Sequence, residues 1–380
     1  MPIQLMLFFV LYGITAAVPL MAAVYLLLRR ANAIAPGVTS PVRLRRWTAA
    51  FFGVATLAHV WWLLFYSFSN DVHSVSYLLI VTLDTLLLFT TFAGMLFAML
   101  QDRRRPVWPW LAALIPFVVI DALFIAYPAE LFEEIASIYL ILLSLAFTAY
   151  MVFAIRQYEH WLNNNYADLE NKKVWLCQAV ALGCMLLFVI YVLATDMVLI
   201  KIMHIIELVL VGLLLWRVET LPNLEIQQTL PGPFTCREGS TYSQGGTVAD
   251  ELSTSLSSRR GAGGEAFSQL EQLLKEHCES TQLYLHHDIS LDQLAQIIGT
   301  NRSYLSQYFS RQGINYNIYI NNLRINHFIS RYQEVAAAGQ DFKVQQLAIE
   351  SGYRSYSTFS RAFTERMGQS VTAWIHESGE

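Results

Sequence analysis

The chain has 380 residues, of which 55% are hydrophobic and only 14% are charged, and its formal net charge is −4. Soluble proteins carry about 25% charged residues, so this composition excludes a single soluble domain. Residues 1–28 contain no Asp, Glu, Lys or Arg, whereas polar residues dominate from Leu221 onward. The four cysteines form no CxxC pair and no Cys/His zinc spacing, so we expect neither a disulfide framework nor a metal site.

Seven apolar runs in the first part of the chain are long enough to cross a bilayer, which takes roughly 20 mostly apolar residues. They predict an all-α bundle of seven transmembrane helices over residues 1–217. The first run is too long for a signal peptide and follows no basic segment, so we expect a span rather than a cleaved leader. The runs cover residues 3–28, 47–68, 75–100, 107–127, 134–155, 174–194 and 197–216.

Basic residues in the loops predict the orientation of this bundle. They occupy alternate loops, whereas the loops at about 69–74, 128–133 and 195–196 contain no Lys or Arg. By the positive-inside rule, the N-terminus lies outside and the C-terminus lies in the cytoplasm, as an odd number of spans requires. We therefore expect a multi-pass protein of the bacterial inner (cytoplasmic) membrane, without a folded sensor domain in its short outside loops. The basic residues are Arg29, Arg30, Arg43, Arg45, Arg46, Arg103, Arg104, Arg105, Arg156, Lys172, Lys173 and Arg217.

Six ionisable side chains lie inside the apolar runs, where such residues are costly and indicate function by default. At a rise of about 1.5 Å per residue, His59, Asp84 and Glu207 fall at a similar depth. They predict a sensing pocket or a hydrogen-bonded clamp, and the alternative is that they only hold neighbouring helices together. The six residues are His59, Asp84, Asp121, Lys201, His204 and Glu207.

Residues 218–264 are rich in Pro, Gly, Ser and Thr and show no apolar periodicity. This composition predicts a flexible linker, with an r.m.s. reach of about 35–40 Å if it is fully disordered. A linker of this kind holds the following domain near the membrane without fixing its orientation.

Two similar helix–turn–helix patterns follow within residues 265–380. The letters LAQIIG at 294–299 recur as LAIESG at 347–352, an offset of 53 residues. A glycine at this spacing favours the left-handed turn that ends a first helix, and the apolar residues beyond it predict a second helix packed on the first. The motifs are expected at about 291–312 and 344–367, joined by a connecting helix.

The second repeat, LAIESGYRSYSTFSRAFTERMG, resembles the signature of the AraC-family DNA-binding domain. The stretches GTNRSYLSQYF and YINNLRIN resemble the first repeat and the connecting helix of that family. The resemblance covers about 30% of the chain and does not extend to the membrane half. It implies two recognition helices that enter successive major-groove segments on one face of double-stranded promoter DNA.

Matching motif positions implies which side chains face the DNA. Arginine reads guanine with two hydrogen bonds and glutamine can read adenine, so Arg361 and Gln307 are the strongest candidates for base contacts. Arg324 and Arg354 are candidates for phosphate contacts, and the alternative for each exposed serine is a solvated helix face. The full set is Arg302, Ser303, Ser306, Gln307, Arg324, Arg354, Tyr356, Ser357, Ser360 and Arg361.

The charge of this region agrees with DNA binding only in part. Residues 301–368 carry eight Lys and Arg against four Asp and Glu, but residues 265–380 carry nine against twelve. A DNA-binding domain is usually basic, so we expect modest affinity that is helped by a homodimer or by RNA polymerase.

Together these patterns predict a membrane-anchored one-component transcription regulator whose bundle senses an unknown small-molecule or membrane-protein signal. The sequence contains no phosphate loop, no nucleophile motif and no catalytic constellation, so we expect neither an enzyme nor a cofactor. One alternative is a membrane receptor or transporter whose cytoplasmic helical domain binds a protein. Another is a tethered regulator that is released by proteolysis at the linker.

The predicted topology is tested by fusions to a reporter that is active only in the periplasm. Because the loops containing Arg104 and Arg217 are expected inside, fusions after these residues should be inactive, and a fusion after Asp71 should be active. Activity after Arg217 would contradict the orientation and would separate the C-terminal domain from DNA.

Overall fold

The computed structural model describes residues 3–68, 75–127, 129–169, 172–192, 197–224, 263–339 and 342–378. These residues form helices and short connections without a β-strand, so the predicted all-α class is confirmed for this part of the chain. The chain divides into two compact units, which are Met1–Tyr158 with Lys173–Leu224 and Glu159–Lys172 with Glu225–Glu380.

Eight helices lie in the described residues of the first unit, and the last residues of the sixth belong to the second unit. They are α1 (Ile3–Leu28), α2 (Val42–Phe68), α3 (Val75–Met99), α4 (Trp108–Ala112), α5 (Ile115–Ala126), α6 (Glu130–Asn165), α7 (Trp175–Val192) and α8 (Met197–Thr220).

Five stretches of the described chain are long and apolar enough to cross a membrane. The fourth of them combines α4 and α5. Helices α7 and α8 occupy the sixth and seventh predicted spans, but the side chains of residues 187–200 lie outside the described part, so the count of seven stays a prediction. The five stretches are Met6–Leu28, Val42–Phe68, Val75–Met99, Trp108–Ala126 and Leu131–Asn165.

Many large apolar side chains on these helices are exposed, while small residues lie at some of the helix contacts. On α1, Met21 and Leu28 are exposed, whereas Ala22 and Ala23 are buried. Between α2 and α3, the Trp47 ring packs so closely on Gly94 that a Cβ there would lie 2.3 Å from the ring. Small residues at helix contacts and apolar residues outside are typical of helices surrounded by lipid.

The ends of α1 and α8 are joined by an ion pair that is almost withdrawn from solvent. Arg29 Nε lies 3.1 Å from Glu219 Oε1, and the Glu219 side chain has no exposed surface. Tyr25 Oη donates to Glu219 Oε2 at 3.2 Å, and Asn32 Nδ2 donates to the Glu219 carbonyl oxygen at 2.8 Å. Both residues lie at the C-terminal ends of their helices, so the pair brings these two ends together.

The chain remains ordered slightly beyond the predicted end of the membrane domain. Helix α8 continues to Thr220, and Leu221 and Leu224 are buried. Gln101, just after α3, donates to the Pro222 carbonyl oxygen at 3.0 Å and accepts from the Leu224 amide at 2.9 Å. The rest of the predicted linker, residues 225–262, lies outside the described residues.

The second unit contains a series of shorter helices. They are α9 (Gly263–Leu274), which continues into a π-helical turn (Lys275–Glu279), a 3₁₀ turn (Leu283–Leu285), α10 (Leu291–Ile297), α11 (Arg302–Arg311), α12 (Tyr316–Ala337), α13 (Val344–Glu350), α14 (Tyr356–Met367) and α15 (Val371–Ser378).

Two hydrophobic cores hold this unit together, and α12 contributes to both. Tyr316 and Ile320 pack into the first core with α9, α10 and α11. Phe328 and Tyr332, about two to three turns later, pack into the second core with α13, α14 and α15. One continuous helix therefore sets the position of one helix pair relative to the other.

The segment after α6 belongs to this unit. Ala167 is buried in the first core, and its carbonyl oxygen accepts from Asn317 Nδ2 at 2.6 Å. Tyr166 also forms an antiparallel β-bridge with Ser290. Ser290 caps α10 through a capping box with Gln293.

The glycines that end α10 and α13 both have a positive φ, but only one is crowded. Gly299 has φ +71° with open space at the Cβ position. Gly352 has φ +89°, and a Cβ there would lie 2.7 Å from both the Cα and the carbonyl oxygen of Leu285. The turn of the second motif thus packs directly on the backbone that precedes the first.

Gly352→Ala should destabilise the second unit more than Gly299→Ala. The left-handed conformation alone costs a non-glycine residue about 1–2 kcal/mol, and only at position 352 must the backbone also move. Hydrogen exchange of the full chain in detergent should show the larger loss of protection in residues 342–378 for Gly352→Ala. Equal losses for both substitutions would contradict the close contact with Leu285.

Candidate functional site

Helices α11 and α14 each bury one face and present a polar face to solvent. Apolar residues of α11, such as Leu305 and Phe309, face the first core, while Ser303 and Gln307 are exposed on the other side. An asparagine or a serine side chain caps the N-terminus of each of these helices. Asn301 accepts from the Tyr304 amide at 2.8 Å, and Ser355 caps α14 in the same way.

The polar face of α14 carries Ser357 and Arg361, both exposed, on the side opposite Phe359 and Phe363. Arg354, one residue before the cap, is exposed as well. This arrangement gives each motif a solvent-facing second helix with hydrogen-bonding side chains, which is the geometry that base reading in the major groove requires.

Other members of the predicted set are less available. Arg302 Nε lies 3.5 Å from Asp292 Oδ1, so part of its charge is shared within the first motif. Tyr356 is half-buried and packs on the second core, with its ring centroid 5.9 Å from that of Phe359. Ser306 and Ser360 are also half-buried. DNA contacts by these four residues, like those of the exposed residues of α11 and α14, stay predictions.

The phosphate contact expected for Arg324 is wrong, because the side chain is only 1% exposed. Its Nε donates to the Tyr284 carbonyl oxygen at 2.7 Å, and its Nη2 donates to the His286 carbonyl oxygen at 2.8 Å. The guanidinium also lies 5.5 Å from the centre of the Tyr353 ring. Charged residues are rarely buried unless paired, so an arginine at this position is expected at the surface. The two carbonyl acceptors lie about 40 residues away in the chain, and no local sequence pattern identifies them.

Burial lowers the pKa of the Arg324 guanidinium, and the neighbouring Tyr353, Tyr316 and Asp288 partly oppose that shift. Arginine nevertheless stays protonated in proteins, so two backbone carbonyls receive charge-assisted hydrogen bonds from it. Arg324 therefore ties α12 to the turn before the first motif and to the turn of the second motif.

Sequence reasoning missed a second positioning residue, Arg366, in the last turn of α14. Its Nη1 donates to the Asn322 carbonyl oxygen at 2.5 Å, and its Nη2 donates to Asn326 Oδ1 at 2.6 Å. Both acceptors lie on α12, so Arg366 fixes the angle at which α14 leaves the second core. Only the three-dimensional contact of α14 with α12 identifies this role.

Within the first unit, the structure brings together three of the six residues that were predicted to lie within the membrane. His59 Nε2 and His204 Nδ1 lie 3.5 and 3.7 Å from Glu207 Oε2. The predicted depth of His59 agrees with that of Glu207, and His204 is three residues from Glu207 on α8, but the contact across 148 positions shows only in the structure.

The other intramembrane residues have different surroundings. Asp84, expected at the same depth as His59, accepts from Trp62 Nε1 at 2.5 Å. Asp121 accepts from Thr82 Oγ1 at 2.5 Å, which links α5 to α3. Lys201 is half-buried and forms no salt bridge with any residue that the structure describes.

Comparison with known proteins agrees with the architecture of the second unit. Residues 294–377 match the family model described as a helix-turn-helix domain. Uncharacterized HTH-type transcriptional regulators from Staphylococcus aureus strains COL, MSSA476 and MRSA252 are each 28% identical over 87 residues. That region is 23% of this chain and 11% of each relative, so the chain spans about a tenth of the length of the relatives it matches. No solved structure gives a significant match.

The matched region begins inside α10 and contains α11 to α14 and most of α15, and therefore most of the first helix–turn–helix motif and all of the second. The C-terminal part of the chain is thus an AraC-type helix-turn-helix domain of the kind that binds DNA in transcription regulators.

Arg361→Ala and Arg354→Ala should weaken DNA binding in different ways. If Arg361 reads a base, its loss should cost about 1–3 kcal/mol and relax the preference at one base pair. If Arg354 contacts a phosphate, its loss should weaken binding to all sequences alike and reduce the slope of affinity against salt. Binding of the full chain to a randomised promoter library at several salt concentrations measures both effects.

Arg324→Met is the matched control for these two substitutions. Removal of its guanidinium takes away both hydrogen bonds, and loss of the partner of a buried acceptor costs about 1–3 kcal/mol, so folding of the second unit should suffer. Binding that is lost in proportion to the folded fraction would agree with a positioning role. If Arg324→Met folds fully and its DNA affinity depends less steeply on salt concentration than that of wild type, Arg324 would contact a phosphate after all.

Proposed function

We propose that this protein is a membrane-anchored one-component transcription regulator. Its AraC-type domain binds promoter DNA sequence-specifically from the cytoplasmic side, and its helical bundle senses a signal within or through the bacterial inner membrane. The observation that carries this proposal is the presence, on one chain, of five apolar helices long enough to span a bilayer and a helix-turn-helix domain with two exposed recognition faces.

The attachment of the DNA-binding domain supports regulation by the membrane helices. Ala167 lies two residues beyond α6, a helix that contains one of the apolar stretches, and is buried in the first core. Asn317 holds the backbone of this segment at both Tyr166 and Ala167. A displacement at the end of α6 would therefore act on the core beneath α11, in addition to any effect through the linker.

The proposal includes three kinds of partner. Promoter DNA is the target, a second copy of the chain would raise affinity for a symmetric or repeated site, and RNA polymerase would respond to the bound regulator. The signal is a small molecule or a membrane protein, because the predicted outside loops are too short for a sensor domain.

Crosslinked capture of DNA by the full-length chain tests this function. Wild-type protein should enrich a small set of promoter regions from cells, and Arg361→Ala should lose most of that enrichment while remaining in the membrane fraction. A receptor whose cytoplasmic domain binds only protein would enrich no promoter. A regulator released by proteolysis would be captured as a fragment that lacks residues 1–217, whereas we expect the intact chain.

A further inference from the structure

Three side chains from two helices converge inside the first unit. One ligand atom each from His59 on α2 and from His204 and Glu207 on α8 lies within 4.8 Å of the others. His59 is buried and the other two residues are half-buried. We propose that these residues bind a divalent transition-metal ion, of which Zn²⁺ is the best match to two imidazoles and one carboxylate.

The distances suit a shared ion better than direct hydrogen bonds. A direct N–H···O hydrogen bond spans about 2.7–3.2 Å, whereas the two imidazole nitrogens lie 3.5 and 3.7 Å from Glu207 Oε2. In a tetrahedral zinc site, with metal–ligand bonds of about 2.0–2.2 Å, ligand atoms are about 3.4 Å apart. The two separations to the carboxylate are close to that value, so small side-chain rotations complete the geometry.

The orientation of the His59 ring suits coordination. Its Nδ1 lies 2.8 Å from the Ala55 carbonyl oxygen. Because a carbonyl oxygen can only accept, Nδ1 carries the proton, and in the neutral ring Nε2 presents its lone pair toward Glu207. Metal-binding histidines are usually oriented by such a bond from the other ring nitrogen to a carbonyl or carboxylate.

Helix α1 supplies the remaining wall of the cluster. The Tyr12 ring lies edge-on to both imidazoles, with centroids 5.0 Å from His59 and 5.5 Å from His204. Thr15 Oγ1 lies 3.5 Å from His204 Nδ1. Three protein ligands leave a fourth position for water or an exogenous ligand, and an ion here would neutralise a carboxylate that is expensive inside a membrane.

Metal binding would favour the arrangement in which α2 and α8 hold all three ligands together, since a ligand shifts a protein toward the state that it binds more tightly. Control of transcription by the ion rests on the proposed function, whereas binding of the ion does not. The competing interpretation is a metal-free clamp in which the carboxylate only attracts the two histidines.

The test uses the full-length chain in detergent, stripped of metal with a chelator and titrated with Zn²⁺ against a chromogenic zinc indicator. Wild type should bind about one ion more tightly than Glu207→Gln, His59→Asn or His204→Asn, each of which should weaken that ion's affinity at least ~10-fold. Asp121→Asn is the matched control, because it removes an intramembrane carboxylate that bonds Thr82 outside the cluster. It should bind Zn²⁺ like wild type.

Equal zinc affinity in wild type and in folded Glu207→Gln would overturn the proposal and leave the clamp. Co²⁺ in place of Zn²⁺ keeps the test decisive if the variants do not fold. Wild type should then show the strong visible absorption of a tetrahedral site, and only the weak absorption of hexaaqua Co²⁺ would count against it. Zinc binding without promoter capture would contradict the proposed function but support the metal site. Promoter capture without zinc binding would support the proposed function but contradict the metal site.

Discussion

The second unit depends on one buried cation. Arg324 lies in the middle of α12, and its two hydrogen bonds reach the carbonyl oxygens of Tyr284 and His286, while its guanidinium faces the Tyr353 ring. A buried charge is tolerated only when its hydrogen bonds are satisfied, so these acceptors must lie where they do for the fold to form. The same residue therefore joins the long helix, the turn before the first motif and the turn of the second motif.

The two motifs have similar helices and turns, but their glycine turns differ in how much space they leave for a larger side chain. The turn of the first motif has open space around Gly299, whereas the turn of the second lies on the Leu285 backbone at Gly352. The close approach at Gly352 brings the second turn to the same stretch of chain that accepts the Arg324 hydrogen bonds. The two repeats of the sequence therefore differ in the structure, because only the turn of the second motif packs closely on a neighbouring backbone segment.

Much of this fold could be predicted from the sequence because its signals are local. The glycine at 352, the cap at Ser290 and the apolar spacing of the two motifs identify helices and turns within a few residues of their bounds. The role of Arg324 could not be predicted, because an arginine on a helix is normally solvated and its acceptors are distant in the chain. The meeting of His59 with Glu207 also depends on how α2 and α8 pack. Hydropathy predicts that helices cross a membrane, but it does not predict which faces meet.

The first unit also contains buried charged side chains, at the C-terminal ends of α1 and α8. Arg29 and Glu219 are both withdrawn from water, Tyr25 donates a hydrogen bond to the Glu219 carboxylate, and Asn32 donates one to the Glu219 backbone carbonyl oxygen. Removal of one partner from a buried ion pair usually costs about 3–5 kcal/mol. The last turn of α8 and the residues that follow it, up to Leu224, are therefore a fixed point from which the predicted linker starts.

The length of α12 has a consequence for the DNA itself. Its 22 residues extend about 33 Å, close to the repeat of about 34–36 Å that separates equivalent major-groove positions on B-DNA. Because α12 is anchored in both cores, its length is fixed. It cannot adapt to a DNA site whose major-groove segments are spaced differently. Under the proposed function, such a duplex would bend or twist to meet both α11 and α14, at a cost of order 1–6 kcal/mol that varies with sequence. Base pairs between the two contacted segments would thereby influence affinity through their flexibility alone.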